Sequence, residues 1–227
     1  LRTPLTSILA FADVLTRNKP GNLVAKQERQ LGIIQRSGRR LAVLIDDLLD
    51  ATHIEQSKFE LKPVRFDVAE MLTDLTDSFR PILREKDQKF VLNLSQAPTE
   101  IFADQIRLTQ VVSNLVTNAS KYSGEGSEVK IIATSDNDDI VITVEDQGIG
   151  IESFDLDHVF GAFFRSDNEG TRAQSGTGIG LYFCRMIVEY HNGDIAAESE
   201  NGKGTTVTLR MPREYSSELQ EETALAA

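Results

Sequence analysis

Two amides and an ammonium group recur at helical spacing in one stretch of the sequence. Asn114, Asn118 and Lys121 stand four and three residues apart, so a helix would carry all three on one face. An amide oxygen can ligate Mg²⁺, and a lysine can neutralise a phosphate. A solvated helix face would show the same spacing, so this cluster alone leaves both interpretations open.

A second cluster, Asp146-Gln-Gly148-Ile-Gly150, lies at the end of a predicted strand. Its glycines permit close backbone approach to a ligand and unusual dihedral angles. The carboxylate of Asp146 could accept a hydrogen bond from an exocyclic amine, although the stretch could also be a plain turn. Farther along, the Gly-Lys-Gly-Thr stretch that ends at Thr205 could close a pocket for a base or form another turn.

Two more clusters lie in and after a long loop over 147–178. Phe160-Gly-Ala-Phe163-Phe164-Arg165 places three aromatic rings beside an arginine, which could seat a lid and bring charge to a phosphate, or form a small hydrophobic anchor. Gly176-Thr177-Gly178-Ile-Gly180-Leu181 opens a predicted helix, and free amides at a helix N-terminus bind anions. This glycine spacing differs from a dinucleotide-binding fingerprint, and no strand leads into it.

In this order, the four clusters resemble the N, G1, F and G2 boxes of the ATPase fold shared by gyrase, heat-shock chaperone, mismatch-repair and histidine-kinase proteins. The resemblance covers about residues 67–212. It implies that ATP binds here, with Mg²⁺ on Asn118, Asn114 beside it, and Lys121 and Arg165 at the phosphates. It further implies that Asp146 reads the adenine amine. The remaining nucleotide-binding residues that it implies are Tyr122, Gly148, Gly150, Phe160, Gly176, Thr177, Gly178, Gly180, Leu181 and Thr205.

The first residues, Leu1-Arg2-Thr3-Pro4-Leu5, resemble the end of the histidine-kinase H-box, which usually reads His-Glu-Leu-Arg-Thr-Pro-Leu. The resemblance implies a sensor histidine kinase whose phospho-accepting histidine falls just before Leu1. Thr3 would then stand four residues after that histidine, where the family uses a threonine to orient water for dephosphorylating the partner. A threonine on a helix face is the alternative.

The resemblance also implies the reaction. A neutral imidazole on the helical region would attack the γ-phosphorus of ATP, and the phosphoryl group would pass to an aspartate of a response-regulator receiver domain. In the related chaperone ATPases, a glutamate that activates water occupies the position of Asn114. An amide cannot act as a general base near neutral pH, so Asn114 favours a kinase over an ATP hydrolase. A nucleotide-gated dimeric scaffold without phosphoryl transfer is the other alternative.

Three histidines are present in the chain, and none matches the acceptor position: His53, His158 and His191. We interpret each as an ordinary surface or partly buried side chain. The single cysteine, Cys184, lies in an apolar helical stretch and is predicted to belong to the core.

The first region of the chain is predicted to consist of two long helices. The pattern predicts helices over 1–18 and 23–57, separated by a turn at Lys19-Pro20-Gly21-Asn22. Ile34, Leu41 and Leu48 are spaced by seven residues, as in a helical bundle. Two helices cannot bury such a face alone, so residues 1–57 are predicted to form a four-helix bundle as a homodimer.

The rest of the chain reads as an α+β sandwich with helices on one face of a mixed sheet, of the GHKL (Bergerat) type that the resemblance implies. We predict a linker over 58–66, an ATP-binding domain over 67–213 and an acidic, disordered tail over 214–227. Asp67 is predicted to cap a helix that reaches Lys86, with Pro81 as an irregularity. Asp104 is predicted to cap a second helix that reaches Tyr122. The other predicted elements are strands over 90–94, 100–103, 129–134, 140–145, 194–198 and 205–211, and a helix over 180–191.

Composition excludes some partners. The 227 residues carry a formal charge of −11, which argues against general affinity for nucleic acid or anionic lipid. No apolar run reaches the roughly 20 residues that a membrane helix needs. We therefore expect a cytoplasmic protein portion, with any tether to the inner membrane located in an upstream region.

Overall fold

The structure is a computed structural model, and the chain divides into two compact units, residues 1–59 and 60–227. Each unit is described by itself. None of the helices in the described part of the chain is both long and apolar enough to cross a membrane. The described residues are 2–17, 21, 23–38, 41, 60–96, 100–168, 170, 171, 174 and 176–216.

The first unit contains α1, Arg2–Thr16, and α2, residues 25–38. Leu5 and Ala12 of α1 are buried, and the Gln35 side chain donates a 2.6 Å hydrogen bond to Asp13. Most other large apolar side chains of the two helices stay exposed. They are Ile8, Phe11, Val14, Leu15, Ile33 and Ile34. His53 and the predicted second helix beyond residue 41 lie outside the described residues.

The second unit begins with β1 (Val64–Phe66), α3 (Val68–Arg84), β2 (Lys89–Gln96) and β3 (Ile101–Ala103). It continues with α4 (Gln105–Tyr122), β4 (Glu128–Asp136), β5 (Asp139–Asp146) and the short helix α5 (Ser153–Leu156). The helix α6 (Gly180–Tyr190) and the strands β6 (Asp194–Glu200) and β7 (Gly204–Pro212) complete it.

Five strands form one mixed sheet in the order β2-β4-β5-β7-β6, with β2 parallel to β4 and the other pairs antiparallel. Alternate residues of β4 and β5 are buried, as expected for a sheet covered on one face. The three long helices pack on the sheet and on one another, and Cys184 of α6 is buried as predicted. The α+β fold class is therefore confirmed.

Asp67 and Asp104 cap α3 and α4 as predicted, each accepting a hydrogen bond from an amide three residues ahead. The helix α3 continues through Pro81 and ends at Arg84. The hairpin between β4 and β5 is tighter than the predicted five-residue turn, because only residues 137 and 138 separate the strands. Asn137 has φ +55, a left-handed conformation that favours asparagine in such turns.

His191 corrects a prediction, because its side chain is only 1% exposed. Its Nε2 accepts a 3.0 Å hydrogen bond from the amide of Asp104, so Nδ1 must carry the proton and donates over 2.8 Å to the carbonyl of Ile187. Burial lowers the pKa of this imidazole. His191 therefore joins the start of α4 to the end of α6 as a neutral group.

The start of the predicted tail is also corrected. Glu214 pairs with Phe102 of β3 and binds the guanidinium of Arg65 through contacts of 2.8 and 2.9 Å. The amide of Tyr215 donates to the carbonyl of Phe102 over 2.9 Å, and its ring packs edge-on against His191. Residues 214–216 thus belong to the folded unit, because Arg65 and β3 provide partners that an acidic composition does not reveal.

Candidate functional site

The first predicted cluster touches the glycine cluster in space. Asn114, Asn118 and Lys121 lie half-buried on α4. The amide nitrogen of Asn114 donates a 3.1 Å hydrogen bond to the carbonyl of Gly180, the first residue of α6. A Cβ on Gly180 would lie 3.0 Å from the Asn114 amide, so a larger residue there would crowd this contact. Residues 66 positions apart in sequence are therefore brought together.

The amides of α4 also fit a magnesium ion. Because Asn114 donates through its nitrogen, its Oδ1 is left to accept or to ligate. No described residue hydrogen-bonds the Asn118 side chain. Within the described ranges, no group of three His, Cys, Asp or Glu side chains could hold a metal. A metal here would depend on amide oxygens, water and ligand phosphates, which is the environment that Mg²⁺ favours.

Asp146, the last residue of β5, is anchored by backbone amides. Its Oδ1 accepts from Gly148 over 2.8 Å and from Thr205 over 3.2 Å. Burial raises the pKa of the carboxyl, while these two hydrogen bonds act in the opposite direction. The buried hydroxyl of Ser123 faces the same carboxylate and has no well-formed hydrogen bond within the described residues. The carboxylate is thus oriented before any ligand arrives.

The glycines after Asp146 let the chain pass between two other elements. A Cβ on Gly148 would lie 2.7 Å from the carbonyl of Tyr122, at the end of α4. Gly150 has φ +70 and packs directly on the backbone of Glu200. Between them, Ile149 donates to Tyr122 over 3.2 Å and accepts from Gly202 over 2.7 Å. This loop is held by backbone contacts on both sides.

The glycine loop ends at an open helix terminus. No side chain in the described part of the chain caps α6, so the first amides of this helix can bind an anion. Gly178 has φ +74, and its Cα packs against the carbonyl groups of Phe163 and Phe164. The hydroxyl of Thr177 accepts a 3.4 Å contact from the amide of Ile179.

Arg165 and Lys121 converge on Gly176. The guanidinium of Arg165 donates to the carbonyls of Gly176, Thr171 and Gln174 over 3.0, 2.7 and 2.6 Å. A Cβ on Gly176 would lie 3.0 Å from the Lys121 ammonium, which itself donates to the Tyr122 hydroxyl over 2.9 Å. Both cations therefore stand beside the glycine loop, and Arg165 is engaged by loop carbonyls.

For the other residues predicted from the sequence, the structure gives fewer contacts with the clusters described above. Phe160 and Leu181 are half-buried. Thr205 lies at the Asp146 end, where its hydroxyl is 3.0 Å from the Ser199 hydroxyl. The side chain of Thr3 lies outside the described part, and His158 is exposed beside the Phe164 ring.

Sequence reasoning missed Ser199 and Gln88. The hydroxyl of Ser199 accepts from the amide of Ile151 over 2.8 Å and donates to the carbonyl of Gly204 over 2.7 Å, so it ties both glycine turns together. Gln88 is buried behind the end of α4. Both are isolated polar residues without a motif around them, so the sequence contained no signal for either role.

Comparison with known proteins identifies both units. Residues 103–215 match the family described as histidine kinase-, DNA gyrase B- and HSP90-like ATPase, and residues 1–57 match the His Kinase A (phospho-acceptor) domain. The chain is 34% identical over 218 residues to the autoinducer 2 sensor kinase/phosphatase LuxQ of Vibrio parahaemolyticus, covering 93% of this chain and 25% of LuxQ. It is 33% identical to the sensor histidine kinase WalK of Bacillus subtilis, covering 93% of this chain and 35% of WalK.

A solved structure agrees with these matches. Full-length ShkA in complex with AMPPNP superposes with a TM-score of 0.80 at 25% identity, covering 95% of this chain and 44% of ShkA. The chain thus spans a quarter to less than half of these relatives' lengths. With its phospho-acceptor and ATPase-type regions in this order, the chain belongs to the sensor histidine kinases, of which it represents the kinase core.

Proposed function

We propose that this chain binds Mg-ATP between α4 and α6 and transfers the γ-phosphoryl group to a histidine just upstream of Leu1. The observation that carries the proposal is the convergence of Lys121 and Arg165 on Gly176, with the anchored Asp146 on the other side of Tyr122. Two cations beside free helix amides suit phosphates, and a fixed carboxylate suits an adenine amine.

At the base end, Asp146 would accept the hydrogen bond of the adenine amine. Its Oδ1 is already used by two amides, so the carboxylate cannot rotate away. Thr205, whose amide is one of those donors, would stand next to the base. Tyr122 would pack near the nucleoside, because its backbone borders the same loop.

At the phosphate end, Lys121, Arg165 and the amides of residues 176–181 would hold the triphosphate. Mg²⁺, held by Asn118 with Asn114 beside it, would supply further charge neutralisation when bound. Because Arg165 donates to three loop carbonyls, it would have to exchange at least one of them for a phosphate oxygen. This exchange would couple the order of the loop to the presence of nucleotide.

Asn114 supports transfer to histidine over hydrolysis. Its nitrogen donates to Gly180, and an amide does not remove a proton from water near neutral pH. Bound ATP would therefore not be attacked by an activated water and would react with the imidazole nucleophile. We also propose that Thr3 orients water for a phosphatase reaction, in line with the kinase/phosphatase name of the relative LuxQ.

For partners, we propose a homodimer through residues 1–57 and transfer to an aspartate of a response-regulator receiver domain. The exposed apolar side chains of α1 and α2, such as Phe11 at 72% exposure, favour a second copy. We also propose that the linker predicted over 58–66 ends before β1, so that the ATP-binding domain includes Val64–Phe66, and that this portion is cytoplasmic.

The test uses two chains, the present one and one extended upstream to restore His-Glu before Leu1. Each is incubated with γ-labelled Mg-ATP, and acid-labile, base-stable label on the protein is counted. We expect label on the extended chain alone. Absence of label on both chains, with ATP binding intact, would favour a nucleotide-gated scaffold. Rapid steady release of phosphate would favour an ATP hydrolase.

A further inference from the structure

Gln88 lies between α3 and β2, far in sequence from every site residue, yet it closes the end of α4. Its side chain is 5% exposed and uses both ends of its amide. Nε2 lies within 3.0, 3.2 and 3.1 Å of the carbonyls of Ser120, Ser123 and Gly124, and Oε1 accepts from the Ser120 hydroxyl over 2.6 Å. Gln88 thus supplies the donor that the last carbonyls of a helix otherwise lack.

The end of α3 aims Gln88 at this position. Asp87 adopts φ +52, and the following amide, that of Gln88, donates to the carbonyl of Leu83 over 3.0 Å. A left-handed residue followed by this backward hydrogen bond is the Schellman helix ending. A left-handed aspartate is uncommon, and such a conformation persists where the surrounding structure holds it.

Neighbouring residues join the same two segments. The ammonium of Lys86 donates to the Ser120 carbonyl over 2.8 Å. The amide of Gly126 donates to the Lys86 carbonyl over 3.2 Å, and that of Lys89 donates to Ser127 over 2.8 Å. The turn that follows α4 is therefore fastened to the turn that precedes β2, with Gln88 as its buried centre.

The opposite side of that turn borders the base end of the site. The Tyr122 carbonyl accepts from Ile149 over 3.2 Å and would lie 2.7 Å from a Cβ on Gly148. The amide of Gly148 in turn donates to the Asp146 carboxylate over 2.8 Å. Any shift of residues 122–124 would thus displace the carboxylate and the glycines that follow it.

We propose that Gln88 is a positioning residue that sets base discrimination by holding the Tyr122–Gly124 turn against Asp146 and Gly148. This inference rests on the proposed function, in which Asp146 reads the adenine amine. Gln88 acts through the turn that follows Lys121, and its loss loosens the base end while the phosphate end, built on Lys121, Arg165 and the start of α6, keeps its contacts.

The experiment measures affinities of the Gln88→Leu chain for ATP, GTP and inorganic tripolyphosphate by calorimetry. We expect the ATP-to-GTP affinity ratio to fall at least fivefold, with tripolyphosphate binding within twofold of wild type. In hydrogen exchange, the Ile149 amide should exchange faster, because its acceptor is the Tyr122 carbonyl. The matched control is Leu75→Ala, which removes a buried side chain of α3 and should lower stability without changing the ratio.

A milder variant covers the case in which Gln88→Leu does not fold. Ser120→Ala removes only the hydroxyl that orients the Gln88 amide, and we expect about a twofold fall in the ratio. An unchanged ratio in a folded Gln88 variant, or an equal fall in Leu75→Ala, overturns the proposal. A wild-type chain that binds tripolyphosphate without preferring ATP over GTP would instead contradict the base-reading role of Asp146, and the inference would fall with it.

Discussion

The two ends of the candidate site are built differently. At the base end, Asp146 ends a central strand of the sheet, and backbone amides hold its carboxylate. At the phosphate end, Lys121 and Arg165 flank a loop, and Arg165 is bound to three of its carbonyls. The base end is organised by strand pairing, whereas the phosphate end is organised by one cation that a ligand would compete for.

This difference suggests a division of labour. A carboxylate fixed before binding can discriminate between bases at little entropic cost, because no side chain has to be ordered. At the phosphate end, by contrast, the loop carbonyls and a bound phosphate would compete for the same guanidinium, so the loop would change when the ligand binds. Base recognition should therefore resist changes in the loop, and phosphate recognition should not.

Gly150→Ala should have the largest effect and should disrupt the base end. A side chain at φ +70 costs about 1–2 kcal/mol. The added Cβ would also lie 2.8 Å from the carbonyl carbon of Glu200, which adds a further cost of about 1–3 kcal/mol. Chemical denaturation measures the sum. Gly202→Ala is the control, since Gly202 has φ +77 and nothing within 4 Å of its Cβ position. Equal losses in both variants would show that the Gly150 contact is unimportant.

Asp146→Asn should act on base binding alone. Asparagine keeps an oxygen for the two amides but presents an NH₂ group toward the amine of adenine. Loss of a hydrogen bond to a charged group is worth about 2–3 kcal/mol, which is roughly 30- to 150-fold in ATP affinity. Tripolyphosphate should bind as before. Calorimetry tests both ligands, with the exposed Asp194→Asn as the charge control. A matching loss for tripolyphosphate would mean that the ends are not separable.

Arg165→Ala should act on phosphate binding. Removing the guanidinium frees three loop carbonyls and removes a cation, and we expect ATP and ADP to weaken about tenfold, or about 1.4 kcal/mol. Adenosine should bind unchanged. Arg165→Lys should not restore affinity, because an ammonium lacks the planar fork that bridges several acceptors. Fluorescence competition measures the affinities for ATP, ADP and adenosine. An equal loss of affinity for adenosine would contradict a role of Arg165 in phosphate binding alone.

Acidification should lower the free energy of unfolding through His191, which joins α4 to α6, the two helices that border the site. Burial lowers the pKa of His191 below its ordinary value near 6.5, so the unfolded chain takes up this proton first as pH falls. The free energy of unfolding should decrease below about pH 6.5, by up to about 1.4 kcal/mol per pH unit, and level off below the folded-state pKa.

His191→Gln provides the comparison for that titration. Glutamine can still accept from the Asp104 amide and donate to the Ile187 carbonyl, but it does not titrate. The difference in unfolding free energy between the two proteins should therefore vary between pH 7 and 5. A constant difference would show that His191 does not bind a proton on unfolding in this range.

Local features were predictable from the sequence. Asp67 and Asp104 cap their helices as predicted, because a cap depends on residues within one turn. The clusters at 146–150 and 176–181 were recognisable because residue type and spacing can be read directly from the sequence. Strand ends were less accurate, as in the β4–β5 hairpin, where pairing continues beyond the apolar residues.

By itself, the sequence determined which residues could read a base or bind a phosphate, the helical and strand periods that present them, and the family. Only the tertiary structure decided which groups orient them. Gln88 meets Ser120 across 32 positions, Asp104 meets His191 across 87, and Arg65 meets Glu214 across 149. A polar residue's type states what it can donate or accept, but its partner depends on how the whole chain packs.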